Sequence, residues 1–117
     1  MNIFEPSKEE QIISLDEMFK AYCRMDPLSD AMEVNLLPLS QSDKWLSTAG
    51  ILDMKKITTT DTGLCFFKFK KRAISFEEYL SYLEELATTK SLDLEAMKLK
   101  MQTSRKPLHP RDVKKKR

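Results

Sequence analysis

The strongest hydrophobic pattern in the chain lies at residues 76–87 and repeats with the period of an α-helix. Six apolar side chains form one stripe of that helix: Phe76, Tyr79, Leu80, Leu83, Leu86 and Ala87. The Ser75 hydroxyl is placed to cap the first turn, and Glu78 completes a capping box. Ile74 is placed to reach Tyr79 as a hydrophobic staple. The pattern therefore predicts a helix over residues 76–88.

A second apolar stripe predicts a long first helix at about residues 8–25. Its inward positions are Ile12, Leu15, Phe19, Tyr22 and Cys23. Ser7 and Glu10 have the spacing of another capping box, and Pro27 requires the helix to stop before it. Residues 26–39 have prolines near both ends and are predicted to be irregular with an extended centre.

Three shorter helices follow from caps and short apolar runs. In the first of them Trp45 faces the core, and Gly50 ends the helix. The predicted spans, each with its opening residues, are 42–49 with Ser42, 61–70 with Thr60 and Asp61, and 92–104 with Ser91.

The composition agrees with one small, mostly helical domain. The chain has 117 residues, of which 41% are apolar and 32% charged. Cys23 and Cys65 lie within apolar helical patterns, so we expect buried thiols rather than a disulfide scaffold. No apolar run approaches the ~20 residues of a membrane span, and the first residues lack the blocks of a signal peptide. We therefore expect a soluble, intracellular protein without a membrane partner.

The charge is unevenly distributed along the chain. The whole chain carries +2, whereas residues 105–117 carry +6, which leaves −4 on the rest. We therefore divide the chain into a lead at 1–7, a core domain at 8–104 and an extended basic tail at 105–117. An acidic partner is expected to meet the cations of this tail. They are Arg105, Lys106, Arg111, Lys114, Lys115, Lys116 and Arg117.

Two successive helix–loop–helix units indicate an EF-hand-like arrangement, with Ile74 as the short-strand residue and Glu78 as the closing glutamate. A twelve-residue loop counted back from Glu78 places Phe67, Phe69 and Lys71 where calcium needs oxygen ligands. The predicted fold is therefore all-α: an EF-hand-like pair of about five helices whose loop is degenerate and does not bind calcium. Glu78 is then a helix cap.

No residue constellation points to catalysis. His109 lies between two prolines of the basic tail, so we expect an exposed imidazole away from any pocket. With two glycines in the chain, phosphate-cradling loops are scarce, and no metal spacing occurs. Nucleic acid is disfavoured because the core needs the phenylalanines around Lys68 and Lys70, and the rest of the domain is acidic. We expect no enzyme, metal, cofactor or small-molecule substrate.

The order of these motifs resembles the core domain of the tubulin polymerization-promoting protein family over about residues 12–103. The shared features are a tryptophan-led short helix, a Thr-Thr-Asp helix entry, an aromatic-rich helix ending in Phe-Lys, and Ile-Ser-Phe-Glu-Glu-Tyr leading into Leu-Glu-Glu-Leu-Ala. They occur at Lys44 to Leu46, Thr59 to Asp61, Phe69 and Lys70, and Ile74 to Ala87.

The resemblance implies a non-enzymatic, microtubule-associated protein of the cytoskeleton that binds the acidic surface of tubulin and supports microtubule assembly, bundling or stability. For some relatives the resemblance also implies a location in the axoneme of cilia or flagella. Family members commonly carry a long C-terminal segment with a glycine-rich stretch, associated with tubulin and nucleotide interaction. The sequence has no such segment, so nucleotide binding is not carried over. The alternative is a helical interaction module whose Lys114, Lys115 and Lys116 serve nuclear import or nucleic-acid binding.

Overall fold

The computed structural model describes residues 12–109, and 61% of these residues are helical. The helices are α1 (Leu15–Arg24), α2 (Pro27–Met32), α3 (Leu39–Thr48), α4 (Thr59–Phe67), α5 (Phe76–Lys90) and α6 (Leu94–Thr103). Two very short strands, β1 (Leu37–Pro38) and β2 (Ala73–Ile74), complete the regular structure of this part. The prediction of a mostly helical fold is confirmed. None of the described helices is long and apolar enough to cross a membrane.

The first helix starts later than its apolar stripe predicts. Residues 12–14 are not helical, and Ser14 caps α1 by accepting a hydrogen bond of 3.1 Å from the Glu17 amide. Ser7 and Glu10, predicted to form a capping box, lie outside the described residues. Ile12, predicted to face the core, is 57% exposed. The capping bond of Ser14, rather than the apolar stripe, therefore sets the start of α1.

The segment predicted to be irregular contains a sixth helix, α2. Asp26 caps it by accepting a hydrogen bond of 3.0 Å from the Ser29 amide, and Pro27 follows at the first helical position. Proline is tolerated there because the first amides of a helix have no partner within the helix. The helix ends at Glu33, whose φ of 55° is left-handed. Pro27 therefore starts a helix as well as ending the one before it.

Three other predicted helix starts need correction. α3 begins at Leu39, and Ser42 is a buried residue inside it rather than its cap. α4 is capped by Thr58, which forms a capping box with Asp61, so the exposed Thr60 lies in the first turn. α6 is capped by Asp93, since Ser91 instead ends α5 in a left-handed conformation. The capping box of α5, from Ser75 to Glu78, is confirmed.

The two strands pair in antiparallel fashion just before α3 and α5. Leu37 lies opposite Ile74 and Pro38 opposite Ala73. Leu37 and Ile74 are fully buried, so this small ladder joins the two halves of the domain through the core. A proline is acceptable in so short an edge pairing because few ladder bonds depend on it.

A stack of aromatic rings forms the centre of the core. The Trp45 ring lies 5.2 Å from Tyr22 and 5.6 Å from Tyr79, and Tyr79 lies 5.3 Å from Tyr82. The Trp45 indole also donates a hydrogen bond of 3.2 Å to the carbonyl of Met101 on α6. Tyr82 was absent from the predicted stripe of α5 yet is fully buried, because this helix is covered over a wider arc than one stripe.

Candidate functional site

The start of the basic tail lies on the helical body. Lys106 Nζ contacts the Glu17 carboxylate of α1 at 2.8 Å, and both side chains remain well exposed. His109 Nε2 lies 3.0 Å from Asp30 Oδ2 of α2, and His109 is 8% exposed. The prediction of an exposed imidazole in an extended tail is therefore wrong. The contact of His109 with Asp30 was not predicted because α2, the helix that carries Asp30, was not predicted.

Two of the seven tail cations fall within the described part of the chain. Arg105 is exposed and forms no ion pair with any residue that the structure describes, whereas Lys106 is paired. The other five lie outside the described residues: Arg111, Lys114, Lys115, Lys116 and Arg117. An exposed pair such as that of Lys106 contributes only about 0–1 kcal/mol, so Lys106 can exchange Glu17 for another carboxylate.

The residues to which the sequence gave structural roles mostly lie in or beside the core. Trp45, Ile74 and Tyr79 are fully buried, and Phe76 packs edge-on against Phe19 with ring centroids 5.2 Å apart. These side chains hold α1, α3, α5 and β2 together. They are therefore unavailable to a ligand.

Glu78 is occupied by helix capping. Its carboxylate accepts hydrogen bonds from Lys71 Nζ at 2.6 Å and from the Ser75 amide at 2.9 Å. The lysine, and then the amide, hold the pKa of Glu78 below its usual value. No group of three metal-ligating side chains occurs within residues 12–109.

The two thiols are poor nucleophiles. Cys23 and Cys65 are both free and buried, as predicted. Burial, with a smaller contribution from the charge of Asp26, raises the pKa of Cys23 to about 12. Burial also raises the pKa of Cys65. Neither side chain is therefore a thiolate at neutral pH, and the thiolate is the reactive form.

The loop from α4 to β2 presents four cations. Lys68 pairs with Glu85, Lys71 with Glu78, and Arg72 with Asp26 at 2.9 Å. Lys70 forms no ion pair with a described residue and has a left-handed φ of 53°.

Lys70, Lys71 and Arg72 form the rim of a groove whose floor is apolar. That floor is lined by Leu39, Gly63, Phe66 and Phe67. Phe67 is 73% exposed and Leu64, on the same helix, is 63% exposed. Phe67 therefore does not belong to the core, contrary to the prediction that the core needs all these phenylalanines. We call this feature the α4 groove.

Comparison with known proteins identifies one family. A family model described as p25-alpha matches residues 16–116, which includes most of the basic tail as well as the helical body. Searches of curated proteins and of solved structures gave no match.

Proposed function

Because the chain belongs to the p25-alpha family, a microtubule-associated and non-enzymatic family, we propose that it binds tubulin and supports microtubule assembly, bundling or stability. This family is that of the tubulin polymerization-promoting proteins. The observation that carries the proposal is the length of the match, residues 16–116, which spans nearly the whole chain. The mostly helical body and the two unreactive thiols are compatible with a binding role.

The proposal treats the helical body as an EF-hand-like scaffold without calcium chemistry. Its support is the position of β1 and β2, each directly before an exit helix, and their pairing with each other. In the second loop, Phe67, Phe69 and Lys71 hold the positions where calcium needs oxygen ligands. The Lys71 ammonium contacts Glu78, the glutamate that would close such a loop. A scaffold of this kind presents a surface rather than responding to calcium.

We assign tubulin contact to the basic tail, acting together with an exposed face of the body. Cations that are solvated attract an acidic surface over about 8–10 Å at physiological ionic strength. Their contribution therefore falls steeply with salt, whereas apolar contacts of the folded face do not. Arg105, exposed and without an ion pair among the described residues, is the first of these cations.

Microtubule co-sedimentation over a salt series tests this assignment. The test variant keeps the full chain and replaces the five cations beyond His109 with glutamine, which leaves the His109–Asp30 contact intact. The control keeps those cations but shuffles the order of residues 111–117. We expect weaker, less salt-dependent pelleting of the glutamine variant and unchanged pelleting of the shuffled one. Failure of the unaltered chain to pellet at physiological salt would refute the proposal.

The proposed location is the cytoplasmic cytoskeleton, including the axoneme of cilia or flagella. Expression of the tagged chain in a ciliated cell, with microtubules stained in parallel, tests this. Nuclear accumulation that depends on Lys114, Lys115 and Lys116, without decoration of microtubules, would instead support an interaction module with an import or nucleic-acid-binding tail.

A further inference from the structure

The α4 groove is a surface cavity with a mostly apolar lining. Its volume is about 520 Å³, within the usual range of ligand-binding clefts and ample for one aromatic side chain. Phe66 reaches the floor from the core, while Phe67 stands beside it with most of its ring in solvent. Exposing so large an aromatic surface costs free energy unless a partner covers it.

The rim of the groove carries an excess of positive charge. Lys71 and Arg72 each have a carboxylate partner, yet their side chains remain 55% and 54% exposed. Lys70 has no carboxylate partner among the described residues. Its backbone amide donates a hydrogen bond of 2.9 Å to the Phe67 carbonyl at the end of α4. That backbone position is left-handed, where glycine is usual. The chain thus places a lysine at the groove in a conformation that disfavours it.

We propose that the α4 groove binds an acidic peptide segment of a partner protein through one large apolar side chain. The apolar side chain enters between Gly63 and Phe67, and flanking carboxylates meet Lys70, Lys71 and Arg72. A cavity of this volume accepts one large side chain, and the three cations beside it match flanking carboxylates; a lipid surface is the competing occupant that the test below distinguishes. The proposal does not depend on the partner being tubulin.

The amide signals of the two glycines report directly on binding at the α4 groove. Gly63 lines the α4 groove, whereas Gly50 lines a different cavity between the α3–α4 connection and α6. Labelling glycine alone with ¹⁵N gives one amide signal for each. We would titrate this sample with the peptide EEEFEEE, and in parallel with EEEAEEE and KKKFKKK. We expect EEEFEEE to shift the Gly63 signal and leave Gly50 in place, EEEAEEE to shift it much less, and KKKFKKK not at all.

Two substitutions are chosen to remove the site without lowering the stability of the fold. A Cβ on Gly63 would meet no heavy atom within 4 Å, so a side chain can start there without a clash, and Gly63→Leu is chosen to occupy the groove while favouring the helix. Lys70→Gly removes the cation and relieves the left-handed lysine. Both variants are expected to unfold no earlier than the unaltered chain. Anisotropy with labelled EEEFEEE should show about tenfold weaker binding for the first and several-fold weaker binding for the second.

Lys100→Glu is the matched control, since Lys100 is an exposed lysine at the cavity of Gly50. It changes the net charge by more than Lys70→Gly but should leave peptide affinity nearly unchanged. Equal shifts of Gly50 and Gly63, or equal effects of EEEFEEE and EEEAEEE, would overturn the proposal. A shift of the Gly63 signal with anionic lipid vesicles but not with peptide would also overturn it. So would a shift of the Gly63 signal caused by Phe4→Ala without any peptide, because that would identify the chain's own lead as the occupant.

Discussion

Tyr79 and Tyr82 of α5 allow the same chemical change to be made in two different environments. Both rings are fully buried and stacked on each other. The Tyr79 hydroxyl shares a hydrogen bond of 2.9 Å with the Ser42 hydroxyl. The Tyr82 hydroxyl is equally buried but has no hydrogen-bond partner among the described residues. Replacing tyrosine with phenylalanine should therefore lower stability at Tyr79 but not at Tyr82.

The magnitudes follow from what each substitution leaves behind. Tyr79→Phe removes the 2.9 Å hydrogen-bond partner of the buried Ser42 hydroxyl, which should cost about 1–3 kcal/mol of unfolding free energy. Tyr82→Phe removes a buried hydroxyl that forms no hydrogen bond of good geometry with a described residue, so it should be neutral or stabilising by up to about 1 kcal/mol. In a domain of this size about 1 kcal/mol corresponds to about 4 °C in Tm. The two variants should therefore differ clearly in a thermal scan.

Urea unfolding is the assay, followed by the fluorescence of Trp45, the single tryptophan, and by far-UV circular dichroism. Trp45 stacks on Tyr79 at 5.6 Å, so its emission reports on the stack directly. Ser42→Ala with Tyr79→Phe should cost less than the sum of the single changes, because neither partner is then left alone. An equal loss of stability in Tyr79→Phe and Tyr82→Phe, or full additivity in the double variant, would refute this reasoning.

Three further predictions concern titratable groups. Burial tends to raise the pKa of Asp26, but its bonds to Arg72 and Ser29 outweigh that effect and lower it. Asp26→Asn should therefore cost roughly 1 kcal/mol at neutral pH, and the difference should shrink as pH falls below about 4; a loss that is independent of pH would contradict this. Burial raises the pKa of Asp43, so ionisation disfavours the fold above that pKa, and Asp43→Asn should raise Tm at pH 7 but not at pH 3. Cys23, with a pKa of about 12, should react with a thiol reagent at pH 8 only after unfolding in guanidinium; rapid reaction in the native state would contradict its burial.

Features that depend on neighbouring residues were readable from the sequence. The helix at α5 was predicted from its stripe and from Ser75 and Glu78, and the structure has both the helix and its capping box. Capping bonds span three residues, so local order in the sequence is enough to form them. The same local logic misplaced α4 because a competing cap, Thr58, lies in front of Thr60. It also misplaced the start of α3, where the N-cap residue Pro38 forms no side-chain capping bond.

Features that join distant parts of the chain were decided by the tertiary structure alone. Asp26 meets Arg72 across 46 residues, and His109 meets Asp30 across 79. Such contacts depend on how all the helices pack together, which no local pattern encodes. The sequence by itself determined a mostly helical chain with buried thiols and an excess of positive charge over residues 105–117. Packing decided that Phe67 faces solvent and His109 does not, because burial is a property of the assembled surface rather than of a residue or its neighbours.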